Sequence, residues 1–226
     1  MNMHKVMKYL AGLLASVSLF SVSVAVLAED KAEATMTFDN LVPIENARTG
    51  AAFIDPDADF SVFKRVAILE PYVAFRANWQ RDQNRNRSTN IRARDMERIK
   101  SDVATLFERV FTDQLEDAGY AVVDEGGEDV LILRPAVIDL DVTAPDNRTA
   151  GRSRTFTASS GAATLYIQLL DGHSGNILGR AVDRQVVRSA GNTLTWSNSV
   201  TNSADARCMM GRWSDKLIEL LDSHYK

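Results

Sequence analysis

The stretch that most constrains this chain runs from Gly161 to Arg188, GAATLYIQLLDGHSGNILGRAVDRQVVR. Two strand-like runs flank Asp171-Gly172-His173-Ser174-Gly175, a cluster of turn-forming residues. Glycine reaches left-handed backbone without a steric cost, and Asp and Ser side chains close turns on their own backbone, so a β-hairpin is expected here. Long antiparallel strands need a surface to pack on, and amphipathic helices elsewhere must supply it. The return strand alternates imperfectly. Arg180, Arg184 and Arg188 share a face with Leu178, Val182 and Val186, while Gly179 and Ala181 keep the opposite face small enough for a helix to lie close. Asp183 is the polar exception on that small face.

Two helices are readable. From about Arg92 to Ala118, the residues Met96, Ile99, Val103, Leu106, Phe107, Val110 and Leu115 recur at helical spacing, and Gly119 is placed to stop the helix. A closing helix is expected from about Ser203, a candidate N-cap, with Ala206, Met209, Met210, Trp213, Leu217, Leu220 and Leu221 on its apolar face.

Between and before these lie further strands. Arg65 to Phe75 reads as a first strand bent at Pro71, followed by a hydrophilic loop from Asn78 to Asn90. Tyr120 to Val123 is a short strand, and Glu125 to Glu128 a turn. Val130 to Val142 reads as a buried strand with Val130, Ile132, Arg134, Ala136, Ile138, Leu140 and Val142 on one face. Pro135 lacks an N–H and points to a bulge or an edge. Ala51 to Phe63 reads as a turn set by Pro56 and its aspartates, with Phe60 and Phe63 packing on the domain. Thr143 to Ser160 and Ser189 to Asn202 are polar connections. The expected fold is one α+β domain over residues 51–226: a mostly antiparallel, mixed sheet covered by two amphipathic helices.

The amino end carries an address. Lys5 and Lys8 precede an apolar, small-residue-rich run from Leu10 to Leu27, and Val26-Leu27-Ala28 suits a signal peptidase. Residues 1–28 are therefore read as a signal peptide cleaved before Glu29, and 29–50 as an extended leader. The alternative, an uncleaved anchor, fits the serines and the cleavage-like end less well. Cleavage leaves 198 residues (226 less 28) with 24 basic side chains (26 less Lys5 and Lys8) against 30 acidic, a net charge near −6. That length suits a single core, and the acidity argues against nucleic-acid binding. The expected location is the periplasm, with outer-membrane association left open. Cys208 is the only cysteine, so no intramolecular disulfide is available and no lipid attaches at the cleavage site.

Most catalytic chemistry is hard to build from this chain. His4 leaves with the signal peptide, His173 sits in the hairpin turn and His224 near the carboxyl end, so no base is held for a serine or cysteine nucleophile. Phosphate-loop, dinucleotide and zinc spacings are missing, and Asp55, Asp57 and Asp59 fail as a calcium loop because Phe60 and Val66 stand where Gly and Glu are required. No catalytic, cofactor-binding or metal-ligating residue is assigned, and no cofactor is expected. Asp139 and Asp141 are a candidate carboxylate pair, better explained by solvent exposure at a strand end.

Two polar constellations remain. Arg134 and Asp183 are candidates for a structural polar pair between strands, able to fix register. Arg81, Arg85 and Arg87 after the first strand, with Arg148, Arg152 and Arg154 after the Val130 strand, would leave one sheet edge together if the Arg92 helix is a right-handed crossover between parallel strands. They form a candidate basic patch for an anionic envelope component or protein, with peripheral membrane contact open; the oligomeric state is not readable.

In order and spacing, several segments resemble the bacterial family catalogued as domain of unknown function 3313, often described as envelope lipoproteins. They are residues 52–60 (AFIDPDADF), 65–69 (RVAIL), Gly119-Tyr120, 129–136 (DVLILRPA), Ala144-Pro145, and 160–165 (SGAATL) through Asp171, Gly175, Ile177-Leu178 and Asp183-Arg184. The chain departs from that description in lacking a lipidation cysteine. The resemblance implies an envelope location and brings neither an activity nor catalytic residues. The order of elements is also similar in topology to the TolB amino-terminal domain and the LpoB-type synthase activators, which implies a partner-binding or accessory role. The expectation is a non-enzymatic envelope protein; the runners-up are a carboxylate hydrolase and a purely structural envelope protein.

Overall fold

In chain order, a computed structural model gives β1 (Val42–Pro43), β2 (Ala51–Ile54), one 3-10 turn (Phe60–Val62), β3 (Arg65–Ile68), β4 (Tyr72–Phe75), α1 (Trp79–Asn84), α2 (Ala93–Asp117), β5 (Ala121–Val123) and β6 (Val130–Val142). There follow β7 (Phe156–Thr157), β8 (Ser159–Asp171), β9 (Ile177–Arg188), β10 (Thr195–Trp196) and α3 (Ser199–His224). The structure describes residues 40–45, 49–85, 90–142, 156–157, 159–188, 195–196 and 199–224, all within one compact unit, Thr35–Lys226. The signal-peptide reading of residues 1–28 lies outside the described residues. No described helix is long and apolar enough to cross a membrane.

The hairpin forms as its turn chemistry dictates. β8 and β9 pair antiparallel from Ser159↔Arg188 to Leu170↔Ile177. The Asp171 carboxylate accepts the backbone N–H groups of His173 (2.8 Å) and Ser174 (2.7 Å), and Gly175 takes φ 75°. Those bonds, Ser174's first, hold the Asp171 carboxyl below the usual carboxylate range.

Around the hairpin the eight-stranded sheet runs β1-β2-β9-β8-β6-β3-β5, with β4 also on β6. Pairing is antiparallel from β1 through β6 and parallel for β6–β3, β3–β5 and β6–β4. The parallel part follows from α2, the crossover that carries the chain from β4 back to the start of β5. The α+β class and the mixed sheet are as the sequence reading expects.

One face of this sheet makes the core. Leu131, Leu133 and Val137 of β6 and Leu165, Ile167 and Leu169 of β8 meet Leu106, Phe107, Val110, Phe111 and Leu115 of α2 and Met209, Met210, Trp213, Leu217 and Leu221 of α3. Phe107 and Phe111, both fully buried, stack at 4.0 Å between ring centroids. Phe60 and Phe63 join this core, as expected.

Several local readings need correction. Val42–Pro43, read as part of an extended leader, pairs with β2 as an edge strand, and β2 itself fell in a stretch read as a turn. The Asn78 loop contains helix α1, closed by Trp79, which is 1 % exposed and donates its indole N–H to the Val142 carbonyl (2.8 Å). The Arg65–Phe75 strand is two strands. The strand read as buried is asymmetric: from Leu131 to the bulge its odd-numbered residues point into the core, and the Ile132–Arg134–Ala136–Ile138 face is the outer one. Finally, α3 begins at Ser199, so Ser203 is no cap.

The β6 bulge lies at Ile138–Asp141, where Asp139 adopts φ 51°, and not at Pro135. Pro135 causes no defect for a specific reason. The parallel register on that side passes from Ile68↔Leu133 to Tyr72↔Ala136, so the proline falls in the gap between β3 and β4.

Candidate functional site

Helix α3 lies over the small face of β9, as expected, and meets it at Asp183 through Trp213 and Lys216, but it does not fill the space above Gly179 and Ala181. That face floors a cleft. Gly179 and Ala181, with Ala52 and Ile54 of β2 and Ile167 and Leu169 of β8, lie below, and Trp213, Leu217 and Leu220 of α3 lie above. The enclosed space is about 350 Å³, within the range of small-ligand sites, and its walls are chiefly apolar. It exists because β9 offers only a hydrogen and a methyl group where β8 offers leucine and isoleucine.

Asp183 stands at one wall, 7 % exposed. Its Oδ1 accepts the Gly50 N–H (3.1 Å); its Oδ2 accepts Gln185 Nε2 (2.6 Å), Lys216 Nζ (2.8 Å) and Trp213 Nε1 (3.0 Å). Burial is the largest single influence on this carboxyl and pulls its pKa upward. The hydrogen bonds from Lys216, Gln185 and Trp213 and the lysine's charge together outweigh it and hold the group below the usual carboxylate range. One donor on Oδ1 and three on Oδ2, with a pKa held low, make this carboxylate a poor proton acceptor for a substrate.

The proposed Arg134–Asp183 pair is therefore not formed. Arg134 belongs to the outer face, in the row Arg134↔Gln168↔Arg180, and donates from Nε to Gln168 Oε1 (2.8 Å). Asp183 belongs to the inner face, in register with Leu165. Its true ion-pair partner, Lys216, and the indole of Trp213 are three residues apart on α3, one helical face. The sequence signal for this was the lone aspartate on a small-residue strand face together with a lysine beside an apolar helical stripe.

Of the six loop arginines, Arg81 and Arg85 are exposed on and just after α1; Arg87, Arg148, Arg152 and Arg154 lie outside the described residues. Arg76, at the base of the first loop, donates to Asp82 (2.8 Å) and lies 2.8 Å from Asp141 as an ion pair whose geometry is not that of a hydrogen bond. Asp139 sits in the bulge and is exposed, and Asp141, where pairing with β8 resumes, is paired to Arg76. Among the described residues, no group of three or more His, Cys, Asp or Glu side chains is arranged to hold a metal ion. His173 and Cys208 are exposed.

Residues 31–217 match a family model described as "Protein of unknown function (DUF3313)". The chain belongs to this family. No curated protein matches it. Among solved structures it is similar to the PelC dodecamer from Paraburkholderia phytofirmans at 12 % identity, covering 74 % of this chain and 95 % of that one, with a TM-score of 0.37. A minor lipoprotein from Acinetobacter baumannii is similar at 11 % identity, 72 % and 94 % coverage and a TM-score of 0.35. A DUF4136 family protein from Bacteroides thetaiotaomicron is similar at 11 % identity, 79 % and 98 % coverage and a TM-score of 0.35. At such identities and scores these likenesses carry no functional argument.

Proposed function

We propose that this DUF3313 protein is a non-enzymatic binding module of the bacterial cell envelope, exported to the periplasm, that receives an apolar portion of its partner in the cleft between β9 and α3. The observation that carries this is the apolar lining of the cleft beside a tightly hydrogen-bonded Asp183. The one buried carboxylate at the cleft is held by four N–H donors, and the remaining walls are chiefly aliphatic and aromatic, with Thr49, Lys216, Glu219 and Ser223 among the polar members. Such a site offers chiefly apolar surface, with its buried carboxylate and Lys216 already engaged with each other, which favours capture over turnover. The cationic head and apolar run of residues 5–27 support export. The six loop arginines would add a basic rim for an anionic envelope partner: β4 and β6 run parallel and the Trp79–Val142 bond ties the starts of both loops together.

The cleft reading is tested with a fluorescent fatty acid as an apolar probe. The chain binds it saturably, and Ala181→Leu, which fills the floor, weakens binding at least tenfold while leaving the melting temperature in place. No saturable binding by the unaltered chain, or binding indifferent to Ala181→Leu, removes the proposal.

A further inference from the structure

We propose that the outer face of the sheet, the one turned away from α2 and α3, docks on a bilayer surface carrying anionic headgroups. The argument starts from the register. Three rows cross the strands on this face: Phe53, Arg180, Gln168 and Arg134; Ala51, Val182, Tyr166, Ala136 and Tyr72; and Arg184, Thr164 and Ile138. The charged side chains in these three rows are all arginines, and in the next row, Asp141, Ala162 and Val186, the one acid is paired with Arg76, so this face is net positive on a chain whose net charge is −4. The face thus has the opposite sign to the molecule that carries it. Near an anionic surface the rest of the protein is repelled and this side is turned toward it.

Charge alone would suit any polyanion; the apolar side chains choose the bilayer. Tyr72 is 66 % exposed and Val186 42 % exposed, and both project from this same face, flanking the arginines. They are among the few large apolar side chains that the described residues leave open. A membrane interface accommodates both kinds at once: guanidinium groups pair with phosphates while aliphatic and phenolic side chains settle at the headgroup–acyl boundary. Five paired strands span about 19 Å at the usual strand spacing, a broad surface and not a groove, which fits a planar partner. Arg180 lies 6.0 Å over the Tyr166 ring, an arrangement that keeps the guanidinium at the face. This surface is distinct from the β9–α3 cleft, which opens on the other side of the sheet, and from the loop arginines at its edge.

The experiment is co-sedimentation of the chain from Glu29, which contains the whole Thr35–Lys226 unit, with vesicles of phosphatidylcholine alone or with one quarter phosphatidylglycerol. The chain pellets with the anionic vesicles, and not at roughly 1 M salt, where the screening length falls to about 3 Å. The double variant Arg134→Gln/Arg184→Gln weakens this about thirtyfold, at about 1 kcal/mol for each arginine at an anionic surface. Tyr72→Ser weakens it a few-fold. Ala181→Leu leaves it in place, which separates this face from the cleft. Equal pelleting of the double variant and the parent overturns the proposal. So does equal binding to both vesicle types, or loss of binding on Arg81→Gln/Arg85→Gln instead. Retention on an acidic protein matrix without vesicle binding overturns it in favour of a protein partner.

Discussion

Replacing Asp183 by asparagine removes one charge and turns one acceptor into a donor where β9, the Gly50 segment and α3 meet. Four N–H groups converge on this carboxylate, from Gly50, Gln185, Trp213 and Lys216. Hydrogen bonds to a charged acceptor are worth about 1.5–3 kcal/mol each. The asparagine carbonyl can keep about two of the four, so the gross loss is about 3–6 kcal/mol. The Lys216 side chain is 21 % exposed and can hydrate its ammonium once the partner is gone, which returns part of that. Breaking a buried pair from one side typically costs about 3–5 kcal/mol, and about 3 kcal/mol is expected here. That is a large share of the roughly 5–15 kcal/mol that holds a domain together. Urea unfolding at neutral pH reads it as a lower midpoint at unchanged slope. The pH dependence supplies the sharper check. Because the folded carboxyl titrates below its unfolded value of about 3.9, its stabilisation is complete above that value and is lost as pH falls through the folded one. The parent–variant difference therefore stays flat from about pH 5 to 8 and closes below about pH 4. A cost under about 1 kcal/mol, or a difference that persists unchanged at pH 3, would refute the account of Asp183 as the hydrogen-bonded anchor of the cleft.

Two further changes probe the frame that positions the cleft. Phe107→Ala removes a fully buried ring stacked on Phe111 and should cost about 3–5 kcal/mol in the same unfolding assay. Gly172→Ala should cost about 2 kcal/mol, because a methyl there meets the Val130 carbonyl oxygen and lies 2.9 Å from that of Gly127; neither backbone group can yield without shifting the hairpin turn. A thermal melt within a degree of the parent would argue against that turn geometry.

What the sequence determined by itself is whatever local physics fixes. The period of Met96 to Leu115, with Gly119 at φ 92° after it, sets α2 and its end. The Asp171–Gly175 cluster sets the hairpin, because its bonds run between residues two to four apart. The α+β class follows from the order of those periods. The small face of Gly179 and Ala181 was likewise visible, as was Asp183 as the exception on it.

Tertiary structure decided what lies across from each face. A run such as Val130–Val142 is apolar on both sides, and only the α2 and α3 contacts, with the Asp139 bulge, choose Leu131, Leu133 and Val137 as the inner set. That choice put Arg134 outside with Gln168 and left Asp183 inside to meet Lys216, a residue 33 positions away with no local tie to it. The cleft has the same origin: glycine and alanine in a strand say that space exists, and only the height at which Trp213 and Leu217 hold α3 says whether it is filled. Alternation along one strand assigns residues to two faces; burial, a property of the packed whole, says which face is the core.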